Sequence, residues 1–214
     1  MIADRLPTLE PFVTGKRVMD LGCVDSRREK HADAADRFAH KHARQATFLH
    51  TKIAELAVET LGVDIDPDGV QMLNDAGFDV IVGDVETMDV PEAAGGGFDT
   101  IVAGEIIEHL ENPGLFLRNM LRMAAAGGSL LVSTPNPFYA GSAWKVWRNG
   151  EPSVHDEHMG WQDPITLAQL LRRTGWEPAE FWWVQPEAKV LKTWKRLARP
   201  YFSHTFMMRA TPAA

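Results

Sequence analysis

Four acidic residues stand at the ends of successive short apolar runs: Asp20 in RVMDLGC, Asp64 in LGVDIDPDGV, Asp84 in VIVGDVE and Glu105 in FDTIVAGEIIEHL. Histidines follow them, His109 in EIIEHL and then His155 and His158 in HDEH. Carboxylates accept hydrogen bonds from hydroxyls and amines and attract positive charge. Imidazoles near neutral pH take protons from neutral nucleophiles. The pattern suits a hydroxylated, cationic ligand with proton transfer close to it. It does not suit a phosphate. A pyrophosphate cradle needs backbone N–H groups from a G-x-G-x-x-G turn at a helix start, and RVMDLGCVDS keeps only Gly22 before Cys23, Val24 and Asp25.

These acids act together only if a frame brings the strand ends to one edge. Apolar, β-branched runs at 17–21, 60–64, 79–82, 99–103 and 129–133 read as strands, and helical spacing at 48–59, 67–76 and 112–125 alternates with them. Leu115, Phe116, Met120, Leu121 and Met123 share one broad face of the last helix, and Gly127 and Gly128 read as its stop. This alternation predicts a doubly wound α/β sheet whose ligand crevice lies beyond the carboxyl ends of the strands. Further along, 165–174 is an amphipathic helix closed by Gly175, 181–184 is an aromatic strand, and 204–209 is a last strand. Two segments break the pattern. Residues 26–45 are densely charged, with Phe38 as the one large apolar side chain, and read as an insertion or flap. Residues 186–200 form a basic amphipathic insertion carrying Val190, Leu191, Trp194 and Leu197.

With 214 residues, 45% of them hydrophobic, the chain can bury one sizeable core, and a single domain over 1–214 is expected. A formal charge of −7 argues against a nucleic-acid partner, whose phosphates the overall field would repel. The one cysteine, Cys23, excludes an internal disulfide framework and a cysteine-rich zinc site, and it suits a reducing compartment. The opening MIADRLPTLEPF lacks the apolar stretch of a leader, and no run approaches the roughly 20 apolar residues that cross a bilayer. The expectation is a cytoplasmic protein without an integral membrane segment.

S-adenosylmethionine has the character the acids require: no phosphate, a sulfonium, an ammonium, two ribose hydroxyls and an exocyclic amine. RVMDLGC, LGVDIDPDGV, VIVGDVE, FDTIVAGEIIEHLENP, SLLVSTPNP and EHMGWQDPITLAQLLRRTGWE, in this order, resemble the class I S-adenosylmethionine-dependent methyltransferases, and within them the bacterial UbiG-like group. The resemblance covers most of 17–183. It implies a seven-stranded, mostly parallel sheet with an antiparallel last strand. It also implies that Asp20 and Gly22 face the methionine part of the cofactor, that Asp64 accepts from the ribose hydroxyls and that Ile65 packs near the adenine. Asp84 would accept from the adenine amine while the Val85 N–H bonds a ring nitrogen, and Gly104 and Glu105 would lie near the methionyl end. The chain departs from the family in its single turn glycine and in the long segment after it. The helix following the turn is therefore 48–59, which brings His50 near the cofactor.

Methyl transfer from a sulfonium is an in-line displacement that needs alignment, and a neutral hydroxyl acceptor also needs a base. His109, His155 and His158 are the candidates, on loops after the fourth and fifth strands that overhang the same crevice. The HDEH run also offers carboxylates and imidazoles to a divalent cation such as Mg²⁺ or Mn²⁺. Residues 137–164 read as the acceptor-site loop region. All seven tryptophans fall between Trp144 and Trp194, and Trp144, Trp147 and Trp161 offer flat faces to a sugar or an aromatic ring. The expected reaction is O-methylation of a saccharide or related small metabolite. A quinone, polyketide or amine acceptor, and a non-catalytic binding module on the same scaffold, stay open beside it. A homodimer is compatible with all of these.

Overall fold

The computed structural model describes residues 2–3, 5–24, 49–91, 95–152, 154–184, 201 and 203–213. The expected flap at 26–45 and the basic stretch at 186–200 lie outside the described residues. Eight strands form one sheet: β1 (Ile2–Ala3), β2 (Arg17–Leu21), β3 (Glu59–Asp64), β4 (Val80–Val82), β5 (Phe98–Gly104), β6 (Ala124–Pro135), β7 (Trp176–Val184) and β8 (Thr205–Pro212). Their order is β1-β7-β8-β6-β5-β2-β3-β4. β8 runs antiparallel to both its neighbours, and every other pairing is parallel. This is the expected seven-stranded arrangement, and the two-residue β1 adds an eighth strand at the edge beside β7.

Helices α1 (Arg5–Val13), α2 (Leu49–Leu56), α3 (Pro67–Asp75), α4 (Pro113–Met123), α5 (Ala140–Asn149) and α6 (Pro164–Arg173) complete the described elements, with a single 3₁₀ turn at Ile107–His109. Period-two alternation divides the sheet's side chains between two layers. Met19, Leu21, Ile101, Leu130 and Val132 face α4 and α6, packing on Phe116, Met120 and Leu167. Val18, Val102, Leu131 and Met207 face the other way, onto Leu9 and Val13 of α1 and Ile53 of α2.

Local signals explain most boundaries. Asp66 caps α3 by accepting from the Asp68 N–H at 3.2 Å, with Pro67 in the first helical position. Asp163 and Thr166 form a capping box at the start of α6. The Gly127–Gly128 pair behaves differently from its expected role. α4 stops at Met123, and β6 starts at once and runs through both glycines. Gly97, Gly127 and Gly128 allow a register shift there: a side chain on Gly128 would stand 2.7 Å from the Phe98 carbonyl oxygen. Among the described residues, no helix is long and apolar enough to cross a membrane.

Candidate active site

β2 is followed outward by β3 and β4, and the chain then returns to β5 on the opposite side of β2. The carboxyl ends of β2 and β5 therefore flank the crevice where an open α/β sheet binds its ligand. Gly22, immediately after β2, has φ +66° and donates its N–H to the Val63 carbonyl at 2.9 Å. Its positive φ is the one feature of a glycine-rich turn that survives here. Asp20 is buried, and its Oδ2 lies 2.9 Å from Nδ1 of the equally buried His50 on α2. Cys23 is enclosed beside them, and burial, reinforced by the Asp20 and Asp64 charges, pushes its thiol above the ordinary range.

Asp64 ends β3 with its carboxylate buried and engaged by two backbone donors, Val24 N–H at 2.8 Å and Asp66 N–H at 3.0 Å. Burial raises its carboxyl above the usual value despite those donors. Each carboxylate oxygen has a second lone pair, so ribose hydroxyls can still be accepted. Ile65 beside it is 70% exposed, an open apolar surface for a flat ring. Asp84 is exposed and accepts from the Glu86 N–H and the Thr87 hydroxyl, both at 2.9 Å, which ties it to its own turn, while Val85 is buried below. Glu86, which sequence reasoning passed over, bridges two rims: its carboxylate accepts from Glu111 N–H at 2.7 Å and Asn112 N–H at 3.0 Å, ahead of α4.

Glu105 follows Gly104 at the end of β5 with φ +55°, a left-handed conformation that is uncommon outside glycine. Its N–H donates to the Ser133 carbonyl at 2.9 Å, and its carboxylate pairs with the Arg5 guanidinium and accepts from the Thr205 hydroxyl. Arg5 was not anticipated, because α1 contains two prolines and carries no strong periodic signal. Leu9 and Val13, fully enclosed, supply the burial that holds α1 in place.

The 3₁₀ turn then sets Glu108 and His109 beside the HDEH segment. Ligating atoms of Glu108, His109 and His158 all lie within 4.8 Å of one another. Met159 and Gly160 donate their N–H groups to the Glu108 carbonyl at 2.8 and 3.1 Å, pinning this strap to the turn. Ring centroids of His109 and His158 are 4.7 Å apart, and His155 lies 5.4 Å from His158. The cluster therefore includes all three expected histidines, and among the described residues the possible metal ligands that converge are Glu108, His109 and His158, so that His158 of the HDEH run is joined by two residues of the 3₁₀ turn. Consecutive residues of an exposed turn cannot all converge on one point, whereas two segments facing each other can. Burial pushes the Glu108 carboxyl up to about 7, with the Thr134 hydroxyl donating to it at 2.9 Å. Burial, then the His109 and His155 imidazoles, hold His158 below its ordinary value.

The tryptophans separate by role. Trp176 is enclosed and donates its indole N–H to the Leu117 carbonyl at 2.8 Å, and Trp183 is buried in the same layer. Trp144 and Trp147 are exposed and stacked at 4.8 Å on α5, a helix with no buried residue, and Trp161 is exposed near the histidines' strap. A cavity of about 410 Å³ between α6 and the β7–β8 pair, lined by Phe181, Trp183, Tyr201 and Met208 among others, contains none of the four strand-end acids.

A family model described as a methyltransferase domain matches residues 1–180. No curated protein matches the sequence. Among solved structures, an S-adenosylmethionine-dependent methyltransferase from Mesorhizobium loti is 18% identical with a TM-score of 0.60, over 96% of this chain and 95% of that one. Magnesium protoporphyrin IX methyltransferase from Synechocystis, with bound S-adenosylhomocysteine, is 14% identical with a TM-score of 0.62, over 97% and 80%. A possible histamine N-methyltransferase from Thermotoga maritima is 16% identical with a TM-score of 0.59, over 97% and 87%. At these identities the likeness is one of fold.

Proposed function

Because the chain belongs to this methyltransferase-domain family, for whose fold S-adenosylmethionine is the expected cofactor, we propose that it methylates a hydroxyl oxygen of a saccharide or related small metabolite. The observation that carries the oxygen reading is the cluster of Glu108, His109, His155 and His158, which begins three residues beyond Glu105. A sulfonium is already a good leaving group, so a neutral hydroxyl mainly needs its proton removed and its oxygen aligned with methyl and sulfur. An amine that is already unprotonated needs no such group.

In this reading Asp20 and Gly22 border the methionine part, and Asp64 and Ile65 take the ribose and adenine. Asp84 and the Val85 N–H meet the adenine edge, and Gly104 and Glu105 lie at the methionyl ammonium. One of His109, His155 and His158 accepts the acceptor's proton as the oxygen attacks the methyl group, and S-adenosylhomocysteine leaves. Trp144, Trp147 and Trp161 supply flat faces for the acceptor. Quinone, polyketide and amine acceptors remain the alternatives within the same chemistry, and the structural neighbours include a magnesium protoporphyrin IX methyltransferase and a possible histamine N-methyltransferase. The net charge of −7 favours a small-molecule acceptor over a nucleic acid. In this reading the reaction takes place in the cytoplasm, a reducing compartment that the single cysteine suits.

Glu108, His109 and His158 also support a divalent cation. One carboxylate and two imidazoles suit Mn²⁺, Fe²⁺ or Zn²⁺ better than Mg²⁺, which prefers oxygen and water. A cation there would lower the pKa of an acceptor hydroxyl and relieve the histidines of base duty. Release of S-adenosylhomocysteine across a panel of sugars, phenols, quinols and amines tests the acceptor class, with and without EDTA. Turnover of phenols or amines but no sugars would overturn the saccharide reading. Activity that survives EDTA assigns the cluster to proton transfer, and activity lost to EDTA and restored by Mn²⁺ assigns it to a cation. Absence of S-adenosylhomocysteine binding in calorimetry would leave only the non-catalytic scaffold.

A further inference from the structure

The turn after β2 is missing the glycines that normally let a helix start directly above the cofactor, and the structure shows where the room has gone. Cys23 and Val24 are buried against Val70, Leu73 and Val80, so the turn is anchored by apolar side chains. The glycines stand opposite them. A side chain on Gly62 would meet Cys23 Sγ at 2.8 Å, His50 Cε1 at 2.9 Å and Val80 Cγ2 at 2.9 Å, and one on Gly69 would meet Val24 Cγ1 at 2.3 Å. Gly62 is the register partner of Asp20 across β2 and β3. The imidazole of His50 thus lies over β3 at its one side-chain-free position, next to Cys23, with its edge against Phe78 and its Nδ1 on Asp20 Oδ2.

We infer that His50 is a positioning residue that replaces the lost glycine turn: its hydrogen bond to Asp20 fixes the first turn of α2 over the β2 end and so sets the floor of the methionyl pocket. Three observations support this. The pair is enclosed, with side chains 1% and 4% exposed, so water does not compete for the bond. His50 is in the first turn of α2, and its neighbour Leu49 comes within 3.5 Å of where a Gly104 side chain would start, so the same turn reaches the β5 side of the crevice. The other enclosed side chain of α2, Ile53, packs three residues further along the helix with Leu9, Val18 and Val102, so the polar bond of His50 is the directional contact of the first turn. Asp20 keeps its second carboxylate oxygen for the cofactor, while Oδ2 is committed to His50.

This inference rests on S-adenosylmethionine as the ligand, and the test separates the two. Binding of S-adenosylhomocysteine is measured by calorimetry for the full-length wild type, His50→Phe and His50→Asn, with melting temperatures alongside. Phenylalanine keeps the ring's bulk and loses the donor; the asparagine amide nitrogen occupies the place of imidazole Nδ1 and keeps it. The expected result is affinity at least 10-fold weaker in His50→Phe and within about 3-fold of wild type in His50→Asn. Equal affinity in all three overturns the inference, as does loss in both variants at unchanged melting temperature. No binding by wild type overturns the cofactor reading instead. Because His50→Phe can fail to fold, ¹⁵N spectra of the wild-type imidazoles supply a second readout: a His50 Nδ1–H protected from exchange and shifted by S-adenosylhomocysteine is expected, and a freely exchanging ring unaffected by it refutes the role.

Discussion

Replacing Gly62 by Ala tests how tightly the β2 turn, β3 and α2 are fitted together. In an unstrained strand this change stabilises a protein by about 0.4–1 kcal/mol, because the unfolded chain loses freedom. Here the added methyl would sit 2.8–2.9 Å from three side-chain atoms at once, roughly 0.6–1 Å inside ordinary contact. None of the three can swing away freely. Cys23 and Val80 are buried in one cluster, and the His50 ring is held by Asp20. Overpacking of this kind costs about 1–3 kcal/mol, and displacing the ring would lose about 1 kcal/mol more from its hydrogen bond. The net expectation is a destabilisation of about 1–3 kcal/mol. For a chain of 214 residues that lowers the melting temperature by about 3–10 °C. Urea unfolding with an unchanged m-value measures it directly. Cys23→Ala, which removes one of the three contacts, should recover part of the loss, giving a coupling of at least about 0.5 kcal/mol in a double-mutant cycle. A Gly62→Ala protein as stable as wild type, or more so, would show that the ring and thiol yield easily and that the glycine is not making room for them.

Asp64→Ala should weaken S-adenosylhomocysteine binding at least 10-fold in calorimetry and cost about 1–3 kcal/mol in urea unfolding, since the buried Val24 N–H loses its acceptor; unchanged binding would remove Asp64 from the cofactor site. At Glu105, glycine should be better tolerated than alanine by about 1 kcal/mol, because both lose the Arg5 pair while only glycine is at ease at φ +55°; equal melting temperatures would contradict this. For Glu108 the folded-state pKa of about 7 lies above the ordinary 4.5, so its contribution to stability is full below pH 4.5 and is lost as pH rises through about 7. In chelated buffer, wild type should lose about 2–3 kcal/mol relative to Glu108→Gln between pH 5 and 8.5, and parallel pH–stability curves would refute the burial argument.

What the sequence revealed depended on how local the cause was. Strands β2 to β6 were recognisable because their runs alternate or fill with β-branched residues, and Asp20, Asp64, Asp84 and Glu105 were identified by where those runs stop. The resemblance to methyltransferases then followed from motif order, and the matching family model agrees with it. α1 was missed because Pro7 and Pro11 mask a helix whose stability comes from Leu9 and Val13 meeting residues far along the chain. α5 was missed because it buries nothing in the described structure, which leaves no packed face for a pattern to reflect. Asp20 and Gly22 were expected to face the methionine part, with His50 near the cofactor; that His50 would pair with Asp20 directly depended on two segments separated by residues 25–48. Glu108 was passed over in favour of HDEH because its contacts come from distant segments, the Thr134 hydroxyl on its carboxylate and the Met159 and Gly160 N–H groups on its carbonyl, which no spacing within EIIEHL announces.

The exchange of glycine between the β2 turn and the strand and helix facing it changes what a motif is. In this chain the requirement for space is met at Gly62 and Gly69, 40 and 47 residues beyond Gly22 in sequence yet in contact with the same turn. A search that scores consecutive glycines after the first strand would rank such a chain poorly. A rule written on facing pairs would accept it, requiring that a small residue stand on one side wherever a large one stands on the other. It would also limit engineering: putting glycine back at Cys23 or Val24 would open a void unless Gly62 or Gly69 were enlarged in the same step, so these positions can change only in pairs.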